Sequence, residues 1–233
     1  MQRADYTRVA HAGMPIMNPV PAAKLDEVVA RLDLAPRARV VDLGCGKGDL
    51  LGRIAARYEV DAVGIDRDAQ LLAEAPAGVN VIVADIETWS RGRASFDLAA
   101  SVGSPASLAS LAELVRPGGL VLYGDGYWRR EPSVEYLEAL GAARDELADY
   151  AGWLRRGADL GLTPVYAITA SLDDLDRYEW SWSANGERYA AEHPDEPGVG
   201  EFLAWIRAGR RRYVELGGRD TLGFGLFLFR AAA

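Results

Sequence analysis

Three glycines at alternating positions, Gly44, Gly46 and Gly48, follow an apolar run that ends in Val40, Val41, Asp42 and Leu43. Glycine has no Cβ, so such a loop turns sharply and brings its backbone amides close to a ligand. Residues 50 to 58 then show a helical pattern, and a helix start aims N–H groups and a positive dipole end at whatever lies before it. The combination suits an anionic group such as a carboxylate. Asp42 adds a negative charge, either for a ligand's ammonium or for the loop's own amides. Two more acidic residues end short apolar runs, Asp66 and Asp85. A carboxylate at Asp66 can accept hydrogen bonds from both hydroxyls of a ribose. Its competing role is a helix N-cap, which Asp68 fills better. For Asp85 the competing role is a solvated loop carboxylate.

The elements that must position these residues alternate. Residues 22 to 34 carry Leu25, Val28, Val29 and Leu32 at helical spacing. Short apolar runs at 39 to 43, 60 to 65, 79 to 84, 96 to 102 and 120 to 123 predict buried strands. Helical patterns at 50 to 58, 69 to 75 and 108 to 115 separate most of them. That alternation predicts parallel βαβ units with both sheet faces covered. Residues 1 to 21, with Pro15, Pro19 and Pro21, read as an irregular arm. Residues 133 to 160 read as helical, 163 to 170 as a strand, 172 to 216 as mostly helical, and 221 to 230 as a last strand. A segment of such length between two strands is usually functional.

A dinucleotide site favours G-x-G-x-x-G, whereas here the third glycine comes one residue early and an acidic residue precedes the loop. Residues 40 to 51, VVDLGCGKGDLL, resemble the h-h-D-h-G-x-G-x-G pattern of class I S-adenosylmethionine (SAM)-dependent methyltransferases. The stretch from Phe96 to Gly103 resembles the fourth-strand motif of that family, and Arg116-Pro117-Gly118-Gly119 its turn before the fifth strand. The resemblance runs in order from residue 38 to 124. Asn18-Pro19 and the segment from Gly124 to Trp128 also look like those of a bacterial subgroup.

The resemblance implies an α/β, Rossmann-like fold. It would have a seven-stranded, mainly parallel sheet with helices on both faces, a helical insertion before the last strand, and that strand antiparallel. It implies one domain over 1 to 233, with an arm and helix at 1 to 37, a SAM-binding core at 38 to 130 and an insertion or lid at 172 to 216. SAM would be the cofactor and S-adenosylhomocysteine the product. Asp42, Gly44, Cys45, Gly46 and Gly48 would hold the methionine part, and Asp66 and Arg67 the ribose. Asp85 and Ile86 would hold the adenine, with Ser101, Val102 and Gly103 beside the methyl group. Cys45 reads as a small packing residue within the loop.

Methyl transfer from a sulfonium is an in-line displacement with a good leaving group, so alignment and desolvation can carry catalysis. A base matters only where the acceptor must lose a proton. His11, Asp125 and Tyr127 are the candidates; the plainer role of His11 is an exposed arm residue and that of Asp125 a cap of the next segment. Tyr178, Trp180, Trp182 and Tyr189 lie in the insertion, where the Trp180 and Trp182 pair forms either a lid core or a platform for an acceptor. This density of aromatics favours a small organic acceptor in an apolar pocket. No Asn/Asp-Pro-Pro-aromatic motif follows the fourth strand, unlike enzymes that methylate exocyclic amines of DNA bases. No His/Cys/carboxylate cluster points to a metal. The formal net charge of -8 argues against a nucleic-acid partner. A single cysteine and the lack of a long apolar run make a cytoplasmic protein, monomer or homodimer, the expectation. Two alternatives stand beside this reading: a nicotinamide-dependent oxidoreductase and a non-catalytic SAM-binding protein.

Overall fold

The computed structural model describes residues 1–89 and 92–233. The chain runs through a 3-10 turn (Arg3–Asp5), α1 (Tyr6–Ala10), α2 (Ala22–Val29), β1 (Ala38–Leu43), α3 (Asp49–Arg57), β2 (Val60–Asp66) and α4 (Ala69–Leu72). It continues through β3 (Asn80–Val83), β4 (Phe96–Val102), α5 (Leu108–Leu114), β5 (Val115–Trp128), α6 (Val134–Leu140), α7 (Tyr150–Asp159) and β6 (Leu162–Thr169). The last elements are α8 (Leu172–Glu192), α9 (Val199–Val214), α10 (Gly218–Thr221) and β7 (Leu222–Ala231).

These strands form one seven-stranded sheet in the order β3-β2-β1-β4-β5-β7-β6. The first five are parallel, and β7 runs antiparallel to both β5 and β6. This is the Rossmann-like α/β arrangement that the resemblance implies, including the antiparallel last strand. Strand alternation divides the core in two. Val41, Leu43, Ala99, Val121, Tyr123, Phe227 and Phe229 pack on one face with Trp153 of α7. Val40, Leu98, Ala100, Leu120, Leu122, Leu226 and Leu228 pack on the other with α2 and α3. Apolar side chains on both faces of a strand are the mark of a sheet covered on both sides.

Several boundaries differ from the sequence reading, each for a local reason. The arm is not wholly irregular: α1 buries Tyr6, Val9 and Ala10 against Trp182, Phe202 and Ile206 of α8 and α9. The helix expected over 22 to 34 closes at Val29, although Leu32 remains buried. The one expected over 69 to 75 closes at Leu72. β5 extends past 123 because β7 pairs with it continuously from Leu120 to Trp128, and it begins at Val115, which pairs with Phe96 of β4. The stretch 133 to 160 breaks at Gly141, which ends α6 in the left-handed conformation at φ 70°.

The insertion is an antiparallel pair of long helices. Its two axes approach closely because Gly186 faces Ile206 and Gly209 faces the Trp182 ring, where any Cβ would overlap the partner.

Candidate functional site

β1 and β4 are neighbours in the sheet, but their connections leave toward opposite sides, β1 to β2 and β4 to β5. That reversal opens a crevice at the carboxyl ends of the strands, where open α/β sheets bind ligands. A cavity of about 620 Å³ lies there. Its lower wall contains Asp42, Gly44, Cys45, Gly46, Lys47, Asp66, Arg67, Asp85, Ile86, Val102 and Gly103. Its upper wall contains Thr7, His11, Met17 and Asn18 of the arm and Tyr178, Glu179, Trp182, Trp205 and Arg212 of the insertion.

The glycine loop is tied in place from both sides. Gly44 has φ 73°, and a Cβ there would overlap Ser104 of the loop after β4. Ser104 Oγ donates to the Leu43 carbonyl at 2.9 Å and lies 2.6 Å from Ser101 Oγ. Asp66 Oδ2 accepts the Gly46 N–H at 2.9 Å, and its Oδ1 accepts the Asp68 N–H at 2.9 Å. Asp68 caps α4 through the Gln70 and Leu71 N–H groups. The N-cap alternative for Asp66 is therefore taken by Asp68. Asp85 Oδ1 accepts the Glu87 N–H at 2.9 Å, which fixes the turn after β3. Gly48 and Ser101 do not reach the cavity: Gly48 is the left-handed N-cap of α3, and the Ser101 side chain is buried beneath Ser104.

Asp42 is buried at the cavity floor, and its Oδ1 has no hydrogen-bond partner among the described residues. Burial, with the nearby Asp66 charge, pushes its carboxyl up to about 7. Burial also pushes the Cys45 thiol up, which makes it a poor nucleophile and agrees with a packing role.

His11 is buried, not exposed. Its Nδ1 lies 2.7 Å from the Thr7 carbonyl, so Nδ1 carries the proton and donates. Nε2 then accepts the Tyr178 hydroxyl at 2.9 Å. Burial, followed by the Lys47 charge, holds His11 below its ordinary range, and burial holds Tyr178 above its own. Both groups are therefore neutral near neutral pH. Lys47 was not singled out by the sequence reading; its Nζ donates to the His11 carbonyl at 3.2 Å and pairs with Glu74 at 2.9 Å. Glu179 was also missed. Nothing in the sequence separates it from the other acidic residues of a polar helix.

Asp125 and Tyr127 are not brought to this cavity. Because β5 continues to Trp128, alternation keeps both on the Tyr123 face of the sheet, under α7. Asp125 Oδ2 accepts the Tyr123 hydroxyl at 2.6 Å, and the pair borders a separate cavity with Trp153. Tyr127 packs against Tyr150. Of the insertion aromatics, Tyr178 and Trp182 line the cavity, while Trp180 is half exposed and the Tyr189 hydroxyl donates to Glu196 at 2.7 Å.

A family described as "Methyltransferase domain" matches residues 40–119, which carry the lower wall from the glycine loop to Gly103. The chain is 28% identical to YjhP of Escherichia coli over 91% of this chain and 92% of that protein. The crystal structure of YjhP superposes with a TM-score of 0.87, covering 98% of this chain and all of that one. A SAM-dependent methyltransferase from Thiobacillus denitrificans, solved with S-adenosylhomocysteine, superposes with a TM-score of 0.86 at 26% identity, covering 99% of each chain. The chain belongs to the class I SAM-dependent methyltransferases. The nicotinamide reading of the glycine loop falls with that membership. Two further relatives are a phosphoethanolamine N-methyltransferase of Arabidopsis thaliana and a trans-aconitate 2-methyltransferase of Deinococcus radiodurans. The first is 29% identical over 87% of this chain and 44% of that protein, the second 30% identical over 66% and 63%. The methyltransferase chain spans less than two thirds of either.

The strained electrostatics of Asp42 have a measurable consequence for this methyltransferase. Its carboxyl ionises near 3.8 in the unfolded chain and near 7 in the fold. The native state holds the extra proton between those values, so stability falls as pH rises through that window and levels off above it. Asp42→Asn removes that fall. In urea unfolding of the ligand-free protein, the variant should match the wild type near pH 4. It should exceed the wild type near pH 8 by about 4 kcal/mol, from the rise between 3.8 and about 7 at roughly 1.4 kcal/mol per pH unit. A pH-independent difference between the two would contradict a buried, unpartnered Asp42.

Proposed function

We propose that this methyltransferase transfers the methyl group of SAM to a small organic acceptor held between the glycine-loop wall and the cover formed by the arm, α8 and α9. The observation that carries the reading is the continuity of the cavity: the cofactor-side residues and the arm and insertion side chains line one space. A cover built from the arm and two packed helices leaves a pocket walled by Met17, Tyr178 and Trp182, which suits a small molecule better than a macromolecule.

The residues fit the cofactor. The Gly44, Cys45 and Gly46 amides are held by the Ile65 carbonyl and Asp66, which leaves the Lys47 amide and the start of α3 to suit the methionine carboxylate. Asp42, with an uncommitted Oδ1, suits its ammonium. Asp66 and Arg67 would hold the ribose, Asp85 and Ile86 the adenine, and Val102 and Gly103 would lie at the methyl end. Bound there, SAM supplies an electrophilic methyl group on a sulfonium. The chain's part is to exclude water and align the acceptor. Where the acceptor has a proton to lose, His11 would take it through Tyr178, since its Nε2 faces only that hydroxyl. Residues 1 to 37 and 172 to 216 then act as cover to the 38 to 130 core within one domain. No helix among the described residues is long and apolar enough to cross a membrane. The acidic balance and single cysteine support a cytoplasmic enzyme acting away from nucleic acid, as a monomer or homodimer.

Asp66→Ala should weaken S-adenosylhomocysteine binding by on the order of 1–3 kcal/mol, because charge-assisted hydrogen bonds to the ribose and to Gly46 are lost together. Unchanged affinity in calorimetry, with the fold intact, would refute the ribose assignment. For the acceptor, the protein can be incubated with methyl-labelled SAM and a size-fractionated extract of bacterial cells. Label should enter the small-molecule fraction. Label confined to protein or nucleic acid would overturn the small-acceptor reading.

A further inference from the structure

Glu179 lies in the middle of α8, half-buried, in the upper wall of the cavity. Oε2 accepts the indole N–H of Trp182, one turn further along the helix, at 2.9 Å. Among the described residues no Lys or Arg nitrogen lies within 4.0 Å of either oxygen, and Oε1 has no hydrogen-bond partner. Arg212 of α9 lines the same wall, but its guanidinium is directed to the Ala139 carbonyl, 3.5 Å away. Its charge favours the ionised form of Glu179 without neutralising it by contact. Tyr178 and Trp182 line the same cavity as Glu179.

A buried carboxylate is expensive unless a cation or several donors meet it. Here one donor is supplied by the protein to a residue that lines the cavity, and the other oxygen has no partner among the described residues. Aromatic faces beside a carboxylate attract positive nitrogen, the carboxylate by charge-assisted hydrogen bonding and the rings by cation–π attraction. An anionic acceptor would meet repulsion at the same place.

Resting on the small-acceptor reading above, we propose that Glu179 is the specificity-determining residue of the acceptor site. It selects acceptors that carry a cationic nitrogen, held between its carboxylate and the Trp182 and Tyr178 rings. The S-adenosylhomocysteine-saturated protein is titrated with two sets of size-matched probes. Ethanolamine, choline and benzylamine form the cationic set, and propionate, trans-aconitate and benzoate the anionic set. The cations should bind more tightly, and Glu179→Gln, which keeps the shape and the acceptor for the Trp182 N–H, should weaken them by at least about tenfold. Affinity for S-adenosylhomocysteine should be unchanged, which also reports that the variant is folded. Equal binding of cations by the variant, or preference of the wild type for the anions, overturns the proposal while leaving the small-acceptor reading standing. If no probe of either set binds and label from SAM enters only macromolecules, the small-acceptor reading fails and this proposal with it.

Discussion

The close approach of Gly44 to Ser104 is the contact on which the site depends. It joins the loop leaving β1 to the loop leaving β4 at the one place where the sheet changes direction. A side chain at residue 44 would push those loops apart, and the left-handed φ there would be strained for any residue with a Cβ. Ser104 adds the second tie through the Leu43 carbonyl. With the two loops locked, Asp66 can hold the Gly46 amide from β2, and the crevice floor acquires a fixed shape. Everything on the cofactor side hangs from this junction: the glycine loop, the Asp42 carboxyl beneath it, and the Val102 and Gly103 edge.

That rigidity concentrates charge. Burial opposes ionisation of Asp42, and the nearby Asp66 charge adds to the effect. A structure selected for stability alone would replace Asp42 with an apolar residue of similar size. Its retention beneath an amide-lined loop fits a ligand that brings both a negative and a positive group to the same spot, as the methionine part of SAM does. The upper wall has the same character on a smaller scale, with Glu179 half-buried and met by one donor, the Trp182 indole N–H.

The α/β order and the cofactor wall were legible because both are local. A strand, a glycine loop and a helix are adjacent in sequence, and an acidic residue at a strand end needs only the strand to place it. The antiparallel last strand was legible too, from a final apolar run after a long insertion. What was hidden required distant pairing. The length of β5 is set by β7, about a hundred residues away in the chain, and that extension carries Asp125 and Tyr127 to the wrong face for the site. The burial of His11 depends on a hydroxyl from α8, and the role of Lys47 on the carbonyl of His11 and on Glu74. Such partners leave no periodicity to read.

The arm is bound to both walls. Lys47 of the glycine loop reaches the His11 carbonyl, while Asn185 of α8 donates to the Ala10 and Ala12 carbonyls at 3.0 and 2.9 Å. A ligand that orders the glycine loop should thus order the arm and, through it, α8. Hydrogen exchange measured with and without S-adenosylhomocysteine tests that account directly. Exchange should slow together in the glycine loop, in residues 5 to 18 and along the Tyr178 to Asn185 face of α8. Protection confined to the glycine loop, with the arm and α8 unchanged, would contradict a shared cavity closed by the arm and the insertion.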